Sequence, residues 1–127
     1  MSNDSGAIFV VDDDPLVLNA LSVVLSREGY QVTGFGEGAS FLAAAKARTP
    51  ACIILDVQMP GLNGLDVQER LKGRGNRFPV VFITAHDEVN IRERALAAGA
   101  AAFLHKPFAA ERLIKTLRVA VKIGANA

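Results

Sequence analysis

Five short apolar runs, separated by segments with helical spacing, restrict the fold of this chain more than any other feature. They are Ile8–Val11, Gln31–Phe35, Cys52–Leu55, Val80–Ile83 and Ala102–His105. The first, third and fourth are unbroken and rich in Val and Ile, as strands buried on both faces require. After the first run, Asp14 is placed to cap a helix, with Pro15 at its first position. Leu18, Leu21 and Leu25 share one face of that helix, and Gly29 ends it. The spacing predicts a second helix over Ala39–Ala47, with Phe41, Leu42 and Ala45 turned inward. A third covers Leu65–Lys72, before Gly73-Arg74-Gly75. A fourth covers Val89–Ala98, with Ile91, Ala95, Leu96 and Ala98 inside, Arg92, Glu93 and Arg94 outside, and Gly99 as its stop. The last, Glu111–Ile123, carries Leu113, Ile114, Leu117 and Val121. Strand and helix alternating five times predict an α/β fold of βαβ units, a doubly wound parallel sheet with helices on both faces.

Composition narrows the function classes. A chain of 127 residues, half of them hydrophobic and 21% charged, is long enough for one packed domain. Neither a repeat nor a linker divides it, so a single domain over 1–127 with its core at about 8–121 is expected, with no second module. A net charge of +1 argues against a basic nucleic-acid binder or a polybasic membrane anchor. Cys52 is the single cysteine, which fits a reducing compartment, and with two histidines it is too little for a zinc cluster. The start lacks a basic signal-peptide region, and no apolar run is long enough to span a bilayer, so a cytoplasmic location is expected. Cys52 reads as a small buried hydrophobe, Tyr30 as packing beneath the first helix, and His105 as a surface residue.

In an open parallel sheet, ligands bind beyond the carboxyl ends of the strands, where strand order reverses. The polar residues of this chain gather at those ends. The first run leads into Asp12-Asp13-Asp14, the third into Asp56, the fourth into Thr84 and the fifth into Lys106-Pro107. With strands one and three side by side, these groups converge on one crevice. Clustered carboxylates repel unless a cation sits among them, and a hard divalent ion with oxygen ligands, such as magnesium, suits them. Lys106 offers a point charge for a phosphate oxygen and Thr84 a hydroxyl. With that charge neutralised, one carboxylate can act as nucleophile and form an acyl phosphate. Asp56 stands alone at its strand end, while Asp12 and Asp13 can hold the metal. Singly, each residue reads as a cap, a turn or a solvated side chain. Four strand ends in agreement carry the inference.

With these residues in place, the chain resembles the response-regulator receiver domains of two-component signalling. The resemblance runs from about Ile8 to Val121. It rests on Val10-Val11-Asp12-Asp13-Asp14, on Leu55-Asp56-Val57-Gln58-Met59-Pro60-Gly61-Leu62-Asn63-Gly64, on Ile83-Thr84-Ala85-His86, and on Ala98-Gly99-Ala100 followed by Phe103-Leu104-His105-Lys106-Pro107-Phe108. Met59–Leu71 and Thr84–Asp87 are most similar to receivers that precede LuxR-type DNA-binding domains. The resemblance implies a flavodoxin/CheY-like (βα)5 fold with strand order 2-1-3-4-5. It implies that Asp56 takes a phosphoryl group from a sensor histidine kinase or phosphotransfer protein. Magnesium would be bound directly by Asp13, Asp56 and the backbone carbonyl of Gln58, and through water by Asp12. Thr84, Lys106 and Phe103 match the switch hydroxyl, the phosphate-binding lysine and the aromatic switch position, although Phe103 could equally be strand-five core. Lys106-Pro107 is where the family often has a cis peptide. Gln58 and His86 flank the path of the hydrolytic water and would tune the phosphoryl lifetime. Such a domain is no enzyme beyond self-catalysed phosphoryl acceptance and autodephosphorylation. The fourth helix, fifth strand and fifth helix, with Arg92, Phe103 and Arg112, would form the partner surface and could carry a phosphorylation-dependent homodimer. No direct nucleic-acid binding is expected of this chain, which is either a single-domain regulator or part of a longer protein.

Other readings compete. Gly34-Phe35-Gly36-Glu37-Gly38-Ala39 has the outline of a dinucleotide-binding turn, but it follows the second strand and leaves Asp12, Asp13, Thr84 and Lys106 unexplained. A magnesium-dependent aspartyl phosphatase would need a cap over its substrate that so short a domain lacks. An interaction module with a vestigial site would not need the full set of polar strand ends.

Overall fold

The computed structural model describes residues 6–46, 48, 50–76, 78–85 and 89–125. Strands and helices alternate throughout: β1 (Ala7–Val11), α1 (Pro15–Arg27), β2 (Gln31–Phe35), α2 (Gly38–Ala44), β3 (Cys52–Asp56), α3 (Gly64–Gly73), β4 (Val80–Thr84), α4 (Val89–Ala97), β5 (Ala102–His105) and α5 (Ala110–Ala125). All strand pairs are parallel, in the order β2-β1-β3-β4-β5. β1, β3 and β4 are buried along their whole length, which explains their unbroken apolar runs, whereas the edge strands β2 and β5 are partly exposed.

Alternate residues of each central strand feed opposite cores. Ile8, Val10, Ile54 and Ile83 face α1 and α5, where Leu21, Leu25, Leu113 and Leu117 cover them. Phe9, Val11, Leu55 and Phe82 face α2, α3 and α4 and meet Phe41, Val67, Leu71 and Ile91. Edge-to-face contacts at 5.3–6.0 Å join Phe9, Phe35 and Phe41 and seat α2 against the sheet. Tyr30 packs partly buried against the α1 side, Cys52 is fully buried, and His105 is exposed, each as expected.

The helix ends follow local chemistry. The Asp14 carboxylate accepts the Leu16 N–H at 2.9 Å above Pro15. Asn63 and Asp66 close a reciprocal capping box at the start of α3. Two expectations need correction. The second helix ends at Ala44 rather than Ala47, with Ala45 as its cap and the Ala45 N–H on the Phe41 carbonyl. Arg74 Nη1 donates to the Leu42 carbonyl at 2.6 Å there, satisfying one of the helix's terminal acceptors. Leu96 is 47% exposed rather than core, because α4 seats through Ile91 and Ala95, four residues apart, and position 96 falls off that stripe.

Candidate functional site

The site stands where the strand order reverses, at the carboxyl ends of β1 and β3. Val11 pairs with Leu55, so the next residues, Asp12 and Asp56, emerge side by side. The Asp12 N–H donates to the Phe35 carbonyl at 3.0 Å, which prolongs the sheet past β1 and holds Asp12 in place. Both carboxylates are buried, and so is Thr84 at the end of β4. Carboxylate oxygens of Asp12, Asp13 and Asp56 lie within 4.8 Å of one another, with Asp13 exposed at the mouth. From β5, Lys106 Nζ reaches Asp12 Oδ2 at 2.8 Å and Asp56 Oδ2 at 3.6 Å. The Lys106 N–H donates to the Thr84 carbonyl at 2.7 Å, tying the lysine to the hydroxyl-bearing strand end. The Lys106–Pro107 peptide is cis.

The two buried aspartates are dressed differently. Asp12 has both oxygens engaged, since Oδ1 accepts the Asp14 N–H at 2.9 Å and Oδ2 holds Lys106. Asp56 accepts a longer 3.2 Å bond from the Gln58 N–H on Oδ1, and Lys106 stands farther off its Oδ2, at 3.6 Å. Asp12 is thus fixed as an anchor, and Asp56 keeps the freer carboxylate. Behind Asp56, α3 begins so close that a Cβ on Gly64 would strike the Asp56 carbonyl oxygen. That close approach explains the glycine that ends the Asp-x-x-Met-Pro-x-x-x-Gly segment. The glycine is visible in the sequence, but the backbone it touches is not.

Burial pushes the Asp56 carboxyl up to about 6, and the neighbouring Asp12 charge adds to the effect. Lys106 and the Gln58 N–H pull it back only in part. For Lys106, burial works against the ammonium, yet the Asp12 hydrogen bond and the charges of Asp56 and Asp12 outweigh it and hold the lysine above its ordinary value. Among the described residues, the Lys106 ammonium pairs with two of the three carboxylates, Asp12 and Asp56. The donors are all hard oxygens within reach of a common point, an arrangement that fits magnesium.

The Asp56 shift has a consequence for stability. A carboxyl titrating higher in the folded state binds more protons folded than unfolded, so metal-free protein loses stability as pH rises from 3.8 to about 6. At 1.36 kcal/mol per unit the loss is on the order of 2–3 kcal/mol. Asp56→Asn carries no such charge. In metal-free buffer it is expected to melt roughly 7–10 °C above the wild type at pH 7.5 and level with it near pH 4. Calorimetry with a chelator present checks this, and a variant melting below the wild type at pH 7.5 contradicts it.

The remaining candidates are dispersed. The Gln58 side chain is exposed beside Asp56, and His86 lies outside the described residues. Phe103 is half-buried on β5 and packs against the α4 side of the core, with the Arg92 guanidinium 5.6 Å from its ring centroid. Arg112 is exposed near the start of α5. The glycines of the dinucleotide outline serve packing instead. A Cβ on Gly38 would meet Val67 Cγ2 at 2.7 Å, and one on Gly34 would meet Leu18 Cδ2 at 3.4 Å. The seven-residue α2 opens on Glu37, whose charge repels a pyrophosphate.

Comparison with known proteins agrees with this geometry. Residues 8–118 match the response regulator receiver domain. Response regulator protein TodT of Pseudomonas putida is 39% identical over 124 residues, covering 98% of this chain and 55% of TodT. The chain thus spans about half the length of the curated relatives it matches. Among solved structures, response regulator StyR superposes with a TM-score of 0.87 at 36% identity, over 94% of this chain and 61% of StyR. A receiver protein from Burkholderia phymatum gives a TM-score of 0.81 at 44% identity, over 91% of this chain and 94% of its own. Receiver domains are signalling modules rather than classical enzymes. Among the described residues, no helix is long and apolar enough to cross a membrane. The acidic crevice, the lysine that spans it, the strand order and these matches make one case: this chain belongs to the response-regulator receiver domains and serves as a phosphoacceptor in two-component signalling.

Proposed function

We propose that Asp56 is the residue that accepts the phosphoryl group, from the phosphohistidine of a sensor histidine kinase or a phosphotransfer protein. The observation that carries this reading is the position of Lys106 Nζ, 2.8 Å from Asp12 and 3.6 Å from Asp56. An ammonium anchored by one carboxylate stands beside the reacting one. Asp12, Asp13, Asp56 and the Gln58 backbone carbonyl would hold Mg2+, which when bound neutralises charge on the transferring group. An Asp56 carboxylate oxygen attacks phosphorus, an O–P bond forms, and the N–P bond breaks with its electron pair returning to the imidazole. Lys106 stabilises the phosphoryl oxygens as a point charge. The Thr84 hydroxyl then binds one of those oxygens and draws the end of β4 inward. Phe103 follows as a packing switch, by a shift of population rather than refolding.

Residues 1–127 act in this reading as one receiver unit with its core at about 8–121. It works in the cytoplasm and passes its signal on through a partner or an attached module rather than by touching nucleic acid itself. The face of α4, β5 and α5, with Arg92, Phe103 and Arg112, is the partner surface and the place for a phosphorylation-dependent homodimer. Gln58 and His86 tune the phosphoryl lifetime by obstructing or orienting the hydrolytic water.

Intact-mass spectrometry after incubation with acetyl phosphate tests the core of this reading. One phosphoryl adduct is expected with magnesium, and none without it or in Asp56→Asn. An adduct that persists in Asp56→Asn would move the acceptor elsewhere.

A further inference from the structure

Away from the acidic crevice, at the opposite ends of the strands, a cavity of about 510 Å³ opens between α3 and α4. Its apolar part is Leu71 of α3, Phe78, Val80 at the start of β4, and Ala97 and Ala98 at the end of α4. Its volume falls in the range of about 300–1,000 Å³ usual for small-molecule sites, which join an apolar lining to a few polar groups.

The polar groups here are donors of one sign. Lys72, exposed in the last turn of α3, and Asn76, just past that helix, both line the cavity. Gln68, Gly75 and Gly99 complete the lining, so among the described residues no acidic side chain borders it. The ion pairs among the described residues are those of Lys106 with Asp12 and Asp56 and of Arg118 with Glu28. The Lys72 ammonium is therefore uncompensated, and Glu69, three residues back on α3, does not pair with it. Arg70 and Arg94, exposed in the last turns of α3 and α4, add positive charge at the same end of the domain. Cations in last turns complement the helix dipoles, but among these three Lys72 alone stands at an apolar hollow. The helix-end carbonyls that would repel an anion are covered. Leu71 accepts the Asn76 N–H, Lys72 the Gly75 N–H, Ala95 the Ala100 N–H and Leu96 the Gly99 N–H.

We propose that this cavity is a binding site for a small amphipathic carboxylate, with Lys72 and Asn76 as the residues that hold its anionic end. The aromatic or aliphatic body packs on Leu71, Phe78 and Val80 beside the alanines. The carboxylate oxygens accept from the Lys72 ammonium and the Asn76 side-chain amide at the rim. Binding is independent of phosphoryl chemistry, since no residue of the acidic crevice lines the cavity.

The probe is 2-naphthoate. Its controls are 2-naphthamide, of the same shape without the charge, and acetate, which has the charge without the body. Titration of 15N-labelled protein is expected to shift the Asn76 side-chain amide and the Gly75 and Gly99 backbone signals. Naphthoate is expected to bind about three- to tenfold more tightly than naphthamide, an advantage that shrinks as salt is added. Acetate is expected to leave these signals in place. That comparison needs no variant. Lys72→Met, a change at an exposed helix position, is expected to make naphthoate and naphthamide equal, and Lys72→Arg to restore the preference. Ala98→Leu, which fills the cavity, is expected to weaken both at least about tenfold. Equal affinity of naphthoate and naphthamide for the wild type would overturn the proposal, as would acetate shifts of the same size or shifts scattered over the basic surface. No shift at millimolar naphthoate would do the same.

Discussion

Replacing Gly64 with alanine is expected to lower the stability of the domain by about 3 kcal/mol, roughly a 10 °C drop in melting temperature. The glycine sits at the first position of α3 with ordinary helical handedness, so backbone strain is not the cause. The cause is contact. Its hydrogens face the carbonyl group of Asp56 and the Cα of Val57, and a methyl group there would overlap backbone atoms that cannot rotate away. Either α3 lifts off the sheet or the end of β3 retreats. Lifting α3 loosens Leu65, Val67 and Leu71 from the core they share with Phe41 and Phe82. Retreat of β3 carries the Asp56 carboxylate away from Lys106. Gly73→Ala is the control, because nothing lies within 4 Å of a Cβ at that position. Alanine near the end of the same helix is expected to be neutral or to stabilise by up to about 1 kcal/mol. Denaturant melts of the two variants side by side check this, and a Gly64→Ala protein as stable as Gly73→Ala would mean the close approach has no energetic weight.

Lys106→Met is expected to slow adduct formation from acetyl phosphate about 100-fold or more, in line with the loss of one fixed charge at a reacting centre. It is also expected to destabilise the metal-free protein by about 2–3 kcal/mol, because two buried carboxylates are left without their cation. The figure sits below the usual range for a broken buried pair because the lysine side chain is itself 21% exposed. A simple packing defect would reproduce the lower melting point but not its metal dependence. Magnesium becomes the one remaining neutralising charge in the variant, so the rise in melting temperature on adding magnesium is expected to exceed that of the wild type. Equal rises in the two proteins would place the lysine outside the charge balance of the site. Lys106→Arg keeps the charge but spreads it over a planar fork, and is expected to recover stability better than transfer rate.

Apolar patterning locates all five strands to within one residue of their ends. This follows from the burial of β1, β3 and β4 on both faces, which keeps polar side chains out until the last residue of the strand or the one after it. The same circumstance makes Asp12, Asp56 and Thr84 legible as a site, since each is the first polar residue after such a run. Helix faces are harder to phase. Ala95-Leu96-Ala97-Ala98 offers four apolar residues in a row, and the row does not say which one points inward. Gln68 illustrates the opposite difficulty. It follows Leu65 by three residues and precedes Leu71 by three, on the buried stripe of α3, but its polar side chain reads as surface. The pairing of Lys106 with Asp12 ahead of Asp56 depends on ångström-scale packing of the loops that follow β1 and β5. No linear pattern encodes that preference.

The unequal count of charges in the crevice also has a bearing on signalling logic. With its carboxylates ionised, the site carries a net charge of minus two, so any phosphoryl donor approaching it bare is met by repulsion. A divalent cation cancels that charge outright. The domain then behaves as a coincidence gate with two inputs, a donor and an ion. In the proposed reading that ion is magnesium, which would act as a standing permission, and a donor arriving without it would find the gate shut.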